Sequence, residues 1–100
     1  MTRSRKLSEQ TLSVLAVLAE RPSKWFYGLE IAELTGLKSG SLYPILIRLA
    51  DRDLFEAQWL EPETPGRPPR HAYRILPAGL QALEQARAGR RIITNRESFA

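Results

Sequence analysis

Apolar residues in this chain keep a helical spacing as far as Leu49 and switch to alternation at Phe55, a change of period that limits the available folds more than any other feature. Before the switch, Leu12, Leu15, Ala16 and Ala19 recur at i, i+3, i+4, i+7, and Val14, Val17 and Leu18 broaden the stripe. Ser8 supplies an N-cap, Leu7 and Leu12 form a hydrophobic staple across it, and Pro22 ends the helix near Arg21. Lys24 to Tyr27 predicts a short edge strand. From Gly28 the spacing is helical again: Tyr27, Ile31 and Leu34 share a face with Ala32 beside them, and Glu30 and Glu33 point outward. Gly36 closes this second helix and Ser39 caps a third only a few residues later. In the third, Leu42, Ile45, Leu46 and Leu49 repeat the first pattern, while Pro44 leaves the Gly40 carbonyl unbonded and predicts a perturbed first turn.

After the switch, Phe55, Ala57 and Trp59 alternate with Glu56 and Gln58 as in a half-buried strand. Pro62, Pro65, Gly66, Pro68 and Pro69 then force a loop, and Tyr73 and Ile75 fall on one face of a returning strand. The pair makes a hairpin whose tip carries Arg67 and Arg70. Pro77 and the Ala/Leu/Gln/Glu run to Ala88 predict a last helix, with a polar tail beyond Gly89. The expected fold is mainly α with a small β-hairpin: a winged helix-turn-helix domain over residues 1–76, then a dimerisation helix and tail over 77–100. Leu12 and Leu15 on the first helix and Leu80 and Leu83 on the last give more apolar surface than one small core needs, and are the expected contacts of a homodimer.

The 100 residues suffice for one core and not two. The longest apolar run, Leu12 to Ala19, falls well short of the roughly 20 residues of a bilayer span, so no membrane partner is expected. Arg3, Arg5 and Lys6 are not followed by the apolar stretch of a secretion signal, and a cytoplasmic protein is expected. There is no cysteine and one histidine, His71, which leaves no set of metal ligands. Glu30, Glu33, Asp51 and Asp53 read as outward charges, no phosphate loop or nucleophile motif is present, and neither catalysis nor a cofactor is expected. Trp25 and Trp59 read as core or sheet-packing residues and His71 as a solvated strand residue. The net charge of +4 is gathered at Arg3 to Lys6, Arg67 to Arg74 and Arg87 to Arg96, which points to a polyanionic partner.

Tyr27-Gly28-Leu29-Glu30-Ile31, Ser39-Gly40-Ser41-Leu42-Tyr43-Pro44, Arg48-Leu49, Gly66-Arg67-Pro68 and Tyr73-Arg74 followed by Pro77-Ala78-Gly79 together resemble the PadR-like transcriptional regulators. The resemblance spans residues 8 to 85, and its Ser-Gly-Ser-Leu-Tyr-Pro block is the specific part. It implies a homodimeric repressor on a palindromic operator in double-stranded DNA, and in this family a response to small aromatic effectors. By position it implies DNA contacts from Ser39, Ser41, Tyr43 and Pro44 at the start of the third helix and from Arg67 to Arg70 in the wing. Lys38 and Arg48 join them as exposed cations of the same helix, and Tyr43 has the alternative of packing on helix two. Two positions depart from the family: Leu76, where a capping Thr is common, and Ala72, where an aromatic is common. The last helix is short beside longer members and, from Leu80 to Ala88, lacks an aromatic with which to stack an effector. The competing expectation is a winged-helix module that binds protein and not DNA; acidic or apolar residues on the third helix and wing would mark it.

Overall fold

The computed structural model describes residues 7–62 and 64–99, with side chains as far as Gly89. Arg3, Arg5 and Lys6 therefore lie outside the described residues, and of the basic run 87–96 only the first arginine, Arg87, has a described side chain. The element order is α1 (Glu9–Ala19), β1 (Phe26–Tyr27), α2 (Gly28–Thr35), α3 (Ser39–Asp51), β2 (Phe55–Leu60), β3 (Arg70–Ile75) and α4 (Pro77–Phe99). The strands form one antiparallel sheet in the order β1-β3-β2, with Phe26 and Ala57 both opposite Tyr73.

Local chemistry accounts for most of the element ends. The Ser8 hydroxyl accepts from the Thr11 backbone N–H at 3.1 Å and starts α1, while Leu7 and Leu12 pack on the core beside it. The helix stops at Ala19, before the expected Arg21, because a turn closed by Arg21 N–H to Leu18 O at 3.2 Å takes over ahead of Pro22. Glu30 Oε1 accepts the Tyr27 N–H at 3.3 Å at the head of α2, and its other oxygen meets Lys24 Nζ at 3.0 Å. Gly36, at φ 77°, ends α2 in the left-handed region, where glycine meets no Cβ penalty. The N-cap of α3 is Lys38 and not Ser39: Lys38 is extended and its carbonyl accepts the first helical bond from Leu42 N–H at 2.9 Å. Through Pro44 the helix is unbroken. It ends in a Schellman motif, with Asp53 N–H on Ala50 O and Leu54 N–H on Leu49 O, both at 3.0 Å, and with Asp53 at φ 60°.

The core gathers Val14, Leu15 and Leu18 of α1, Phe26, Ile31, the four expected residues of α3, Phe55, Tyr73, Ile75 and Leu83. Three apolar residues expected inside are outside. Leu34 is 59% exposed and rims an open groove with Val17, Arg21 and Phe26. Ala57 is exposed and Trp59 is 65% exposed, because β2 outruns the helices after Phe55 and its inner face loses its cover. Trp59 stacks instead on His71, its cross-strand partner, at 4.4 Å between ring centroids and 13° between planes. Trp25 is half-buried beneath the Arg74 guanidinium.

Two features of α4 differ from expectation. It continues through Gly89 to Phe99, a 23-residue helix in place of a short one and a tail. Its start needs no side-chain cap: Leu76 N–H donates to Leu54 O at 2.9 Å, and Leu76 O accepts from Gly79 and Leu80 N–H at 2.8 and 3.1 Å. With Leu83 in the common core, the first turns of α4 belong to the same packed unit as the helices before it. No helix among the described residues is long and apolar enough to cross a membrane.

Candidate nucleic-acid interface

The turn between α2 and α3 is short because Gly36 reverses the chain and Thr35 Oγ1 then accepts the Leu37 N–H at 3.3 Å. Leu42, Ile45, Leu46 and Leu49 fix one side of α3 in the core, so the opposite side must face outward. Lys38, Ser39, Gly40, Ser41, Pro44 and Arg48 are all exposed there, and Tyr43 is 41% exposed. No acidic residue occurs in the first turn of α3, and Asp51 is the helix's only carboxylate. A helix N-terminus with a lysine at its cap and no acidic residue in its first turn is suited to a phosphate.

Tyr43 is held on one side. A Cβ on Gly28 would lie 2.9 Å from its ring carbons, so the ring rests on the bare backbone at the head of α2. The packing alternative is therefore realised in part, with the outer edge of the ring still open. Behind it, the Tyr73 phenol bonds His71 Nδ1 at 3.0 Å, and its pKa is raised above the usual 10.0 by burial and, secondarily, by the Tyr43 phenol. His71 is thus half-buried between Trp59 and Tyr73 and not a freely solvated strand residue.

In the wing, Thr64-Pro65-Gly66-Arg67 form a tight turn in which Arg67 N–H reaches Thr64 O at 3.4 Å and Gly66 takes φ 93°. Pro before Gly at the turn centre is the type II pattern, and it leaves the exposed Arg67 at the tip. Arg70 is also exposed, its guanidinium 4.0 Å above the Tyr27 ring, and the two arginines with Tyr27, Pro62, Thr64 and Pro68 line an open cleft of about 550 Å3. Arg74 is committed elsewhere, bonded to Glu56 at 2.7 Å and lying over Trp25 at 4.4 Å. Glu61 is an exposed carboxylate near the same loop. Two features of this surface are not foreseen from the sequence: Ile47, which is 57% exposed on α3, and the seat that Tyr27 provides for Arg70. The position of Ile47, opposite the buried stripe, is the signal for the first; nothing local marks the second.

Of the four leucines expected at a dimer contact, Leu15 and Leu83 are 0% and 4% exposed and pack in the chain's own core. Leu12 and Leu80 are half-buried at its margin. Among the described residues no group of three His, Cys, Asp or Glu side chains could hold a metal ion.

Comparison with known proteins places this arrangement. No protein of curated function matches the sequence. Among solved structures, a PadR-like transcription factor from Bacteroides fragilis is similar at TM-score 0.75 and 22% identity, over 89% of this chain and 86% of that one. A PadR family regulator from Clostridium difficile is similar at TM-score 0.75 and 23% identity, over 91% and 96%. The PcaV regulator of Streptomyces coelicolor, solved with its natural ligand, is similar at TM-score 0.69 and 22% identity, over 96% of this chain and 62% of its own. These likenesses establish the winged-helix fold. The sequence profile of the transcriptional regulator PadR-like family matches residues 14–85, and on that match the chain belongs to the PadR-like family, whose members are transcription factors and not enzymes.

Proposed function

We propose that this chain is a sequence-specific DNA-binding regulator that acts as a repressor and binds a palindromic operator as a homodimer. One observation carries the reading: Lys38, Arg48, Arg67 and Arg70 are exposed on α3 and the wing, and α3 holds no acidic residue before Asp51. In this reading α3 lies in a major groove, with Lys38, Ser39, Ser41 and Arg48 at its edges and Tyr43 and Pro44 toward the bases, and the wing arginines meet phosphates or the adjacent minor groove. Acidic side chains in place of Lys38, Arg48, Arg67 and Arg70 would have favoured a protein partner.

The homodimer rests on α4. Its packing on the core comes from Leu80 and Leu83 near its start, while at about 1.5 Å per residue the helix extends for roughly 34 Å. A second copy is proposed to pack along it, reached by Leu12 and Leu80. A small-molecule effector is part of the same reading, seated where a groove of about 220 Å3 between Leu12, Ala16, Leu83 and Ala86 would be roofed by the partner. The test is selection of bound duplexes from a random pool by the full chain. Inverted half-sites centred about one helical turn, roughly 34 Å, apart are expected; a pool that shows no enrichment at low salt would overturn the DNA reading and favour the protein-binding module.

A further inference from the structure

The side of α3 that points straight away from the core is apolar. Gly40, Pro44 and Ile47 stand at i, i+4 and i+7 on one line along the helix, all exposed, and the polar residues flank this line and do not occupy it. Ser41 and Arg48 lie on one flank, and Tyr43 on the other, leaning on Gly28. Gly40 has no side chain, and even an added Cβ there would meet nothing within 4 Å. Pro44 has neither a side-chain donor nor an N–H. Ile47, 57% exposed, is the one long side chain on the line before Asp51 closes it with a carboxylate.

Folding gives no reason for an isoleucine at this position. Its side chain remains open to solvent, and a β-branched residue forms helix less readily than Ala, Lys or Arg on an exposed face. Resting on the DNA-binding reading, we infer that Ile47 is a specificity-determining residue that packs on the C5-methyl group of a thymine in the major groove. The base edges offer an apolar side chain one partner, and that is the thymine methyl; donors and acceptors on the other bases would lose water against Ile47 with nothing in exchange. From Gly40 to Ile47 the line advances about 10 Å at 1.5 Å per residue, close to three base-pair steps. Gly40 lets the helix backbone approach at one end of this span while Ile47 reads at the other.

The test uses an operator selected by the full-length protein, with each thymine replaced singly by deoxyuridine, which keeps every hydrogen-bonding atom and lacks only the methyl. At one thymine per half-site the wild-type protein should bind about fourfold more weakly, the worth of one buried methyl group. The Ile47→Ala protein should bind thymine and uracil operators equally, Ile47→Val should keep part of the preference, and both should melt with the wild type because the site is exposed. Uniform indifference of the wild type to uracil, or an undiminished preference in Ile47→Ala, would overturn the inference while leaving DNA binding intact. Failure to select any duplex is a different result, seen before a variant is made, and would remove the functional reading and this inference together.

Discussion

At the scale of single residues, two positions hold energetics that the fold makes visible. Asp53 occupies the left-handed position of the Schellman motif behind α3, where φ 60° sets a side chain against the backbone and only glycine is free of that cost. Asp53→Gly should therefore stabilise the protein by about 0.5–1 kcal/mol, less than the full left-handed penalty because glycine is also freer in the unfolded chain. Thermal melting should rise by a few degrees; an unchanged or lower midpoint would count against the assignment. Tyr73 supplies a pH dependence. Burial first, and the Tyr43 phenol second, favour its neutral form in the folded state, so its folded pKa exceeds the unfolded 10.0. Stability from this group is complete below pH 10 and is lost as pH rises through the higher folded value. Urea midpoints should fall above pH 10, and Tyr73→Phe, although weakened by the absence of its bond to His71, should fall less steeply over the same range.

At the scale of elements, the junction from β3 to α4 shows a glycine working against its own helix propensity. Gly79 sits in the first turn of α4, where glycine costs about 1 kcal/mol relative to alanine. Yet a Cβ there would collide with the Leu54 carbonyl oxygen and lie 2.7 Å from Ile75 Cγ1. Gly79→Ala should thus destabilise by about 1–3 kcal/mol in place of the gain that propensity alone predicts, because the clash is partly with backbone that cannot turn aside. Chemical denaturation of the variant decides the sign. The same contrast separates what is legible in the sequence from what is not. The Ser8 cap, the Gly36 stop and the α3 stripe are local patterns, and each is found where its residues place it. Leu34, Ala57 and Trp59 follow the right periods but lie past the edge of the core, and a period gives the face of an element without giving where its cover ends. Gly89 has the look of a stop, although one helical glycine is a cost and not a barrier. Ile47 is hidden by its neighbours, since Ile45-Leu46-Ile47 reads as one apolar run until the helix separates its two sides.

At the scale of the whole molecule, the proposed dimer contact and the proposed DNA-binding surface lie on separable parts of the fold. Cutting the chain after Gly89 removes the distal part of α4 and spares Leu80 and Leu83, so the shortened protein should fold, dimerise more weakly in sedimentation than the proposed full-length dimer because only the contacts near Leu12 and Leu80 remain, and bind the operator less tightly. The two proposed modes of meeting DNA are separable in turn, since neutralising phosphates and reading bases depend differently on salt. The Pro-Gly turn limits the backbone freedom at Arg67, and the Tyr27 seat limits the side-chain freedom that Arg70 would give up on meeting a phosphate. Arg67→Ala and Arg70→Ala should each weaken operator and scrambled duplex alike and lower the log–log salt slope by about one for every phosphate no longer neutralised. Ile47→Ala carries no change of charge, so it should leave the slope as it is and reduce only the preference for operator over scrambled DNA. Salt titrations of the three variants on both duplexes would show this directly. A slope altered by Ile47→Ala and untouched by either arginine variant would mean that the wing does not meet the backbone, and that the cations at its tip serve some other partner.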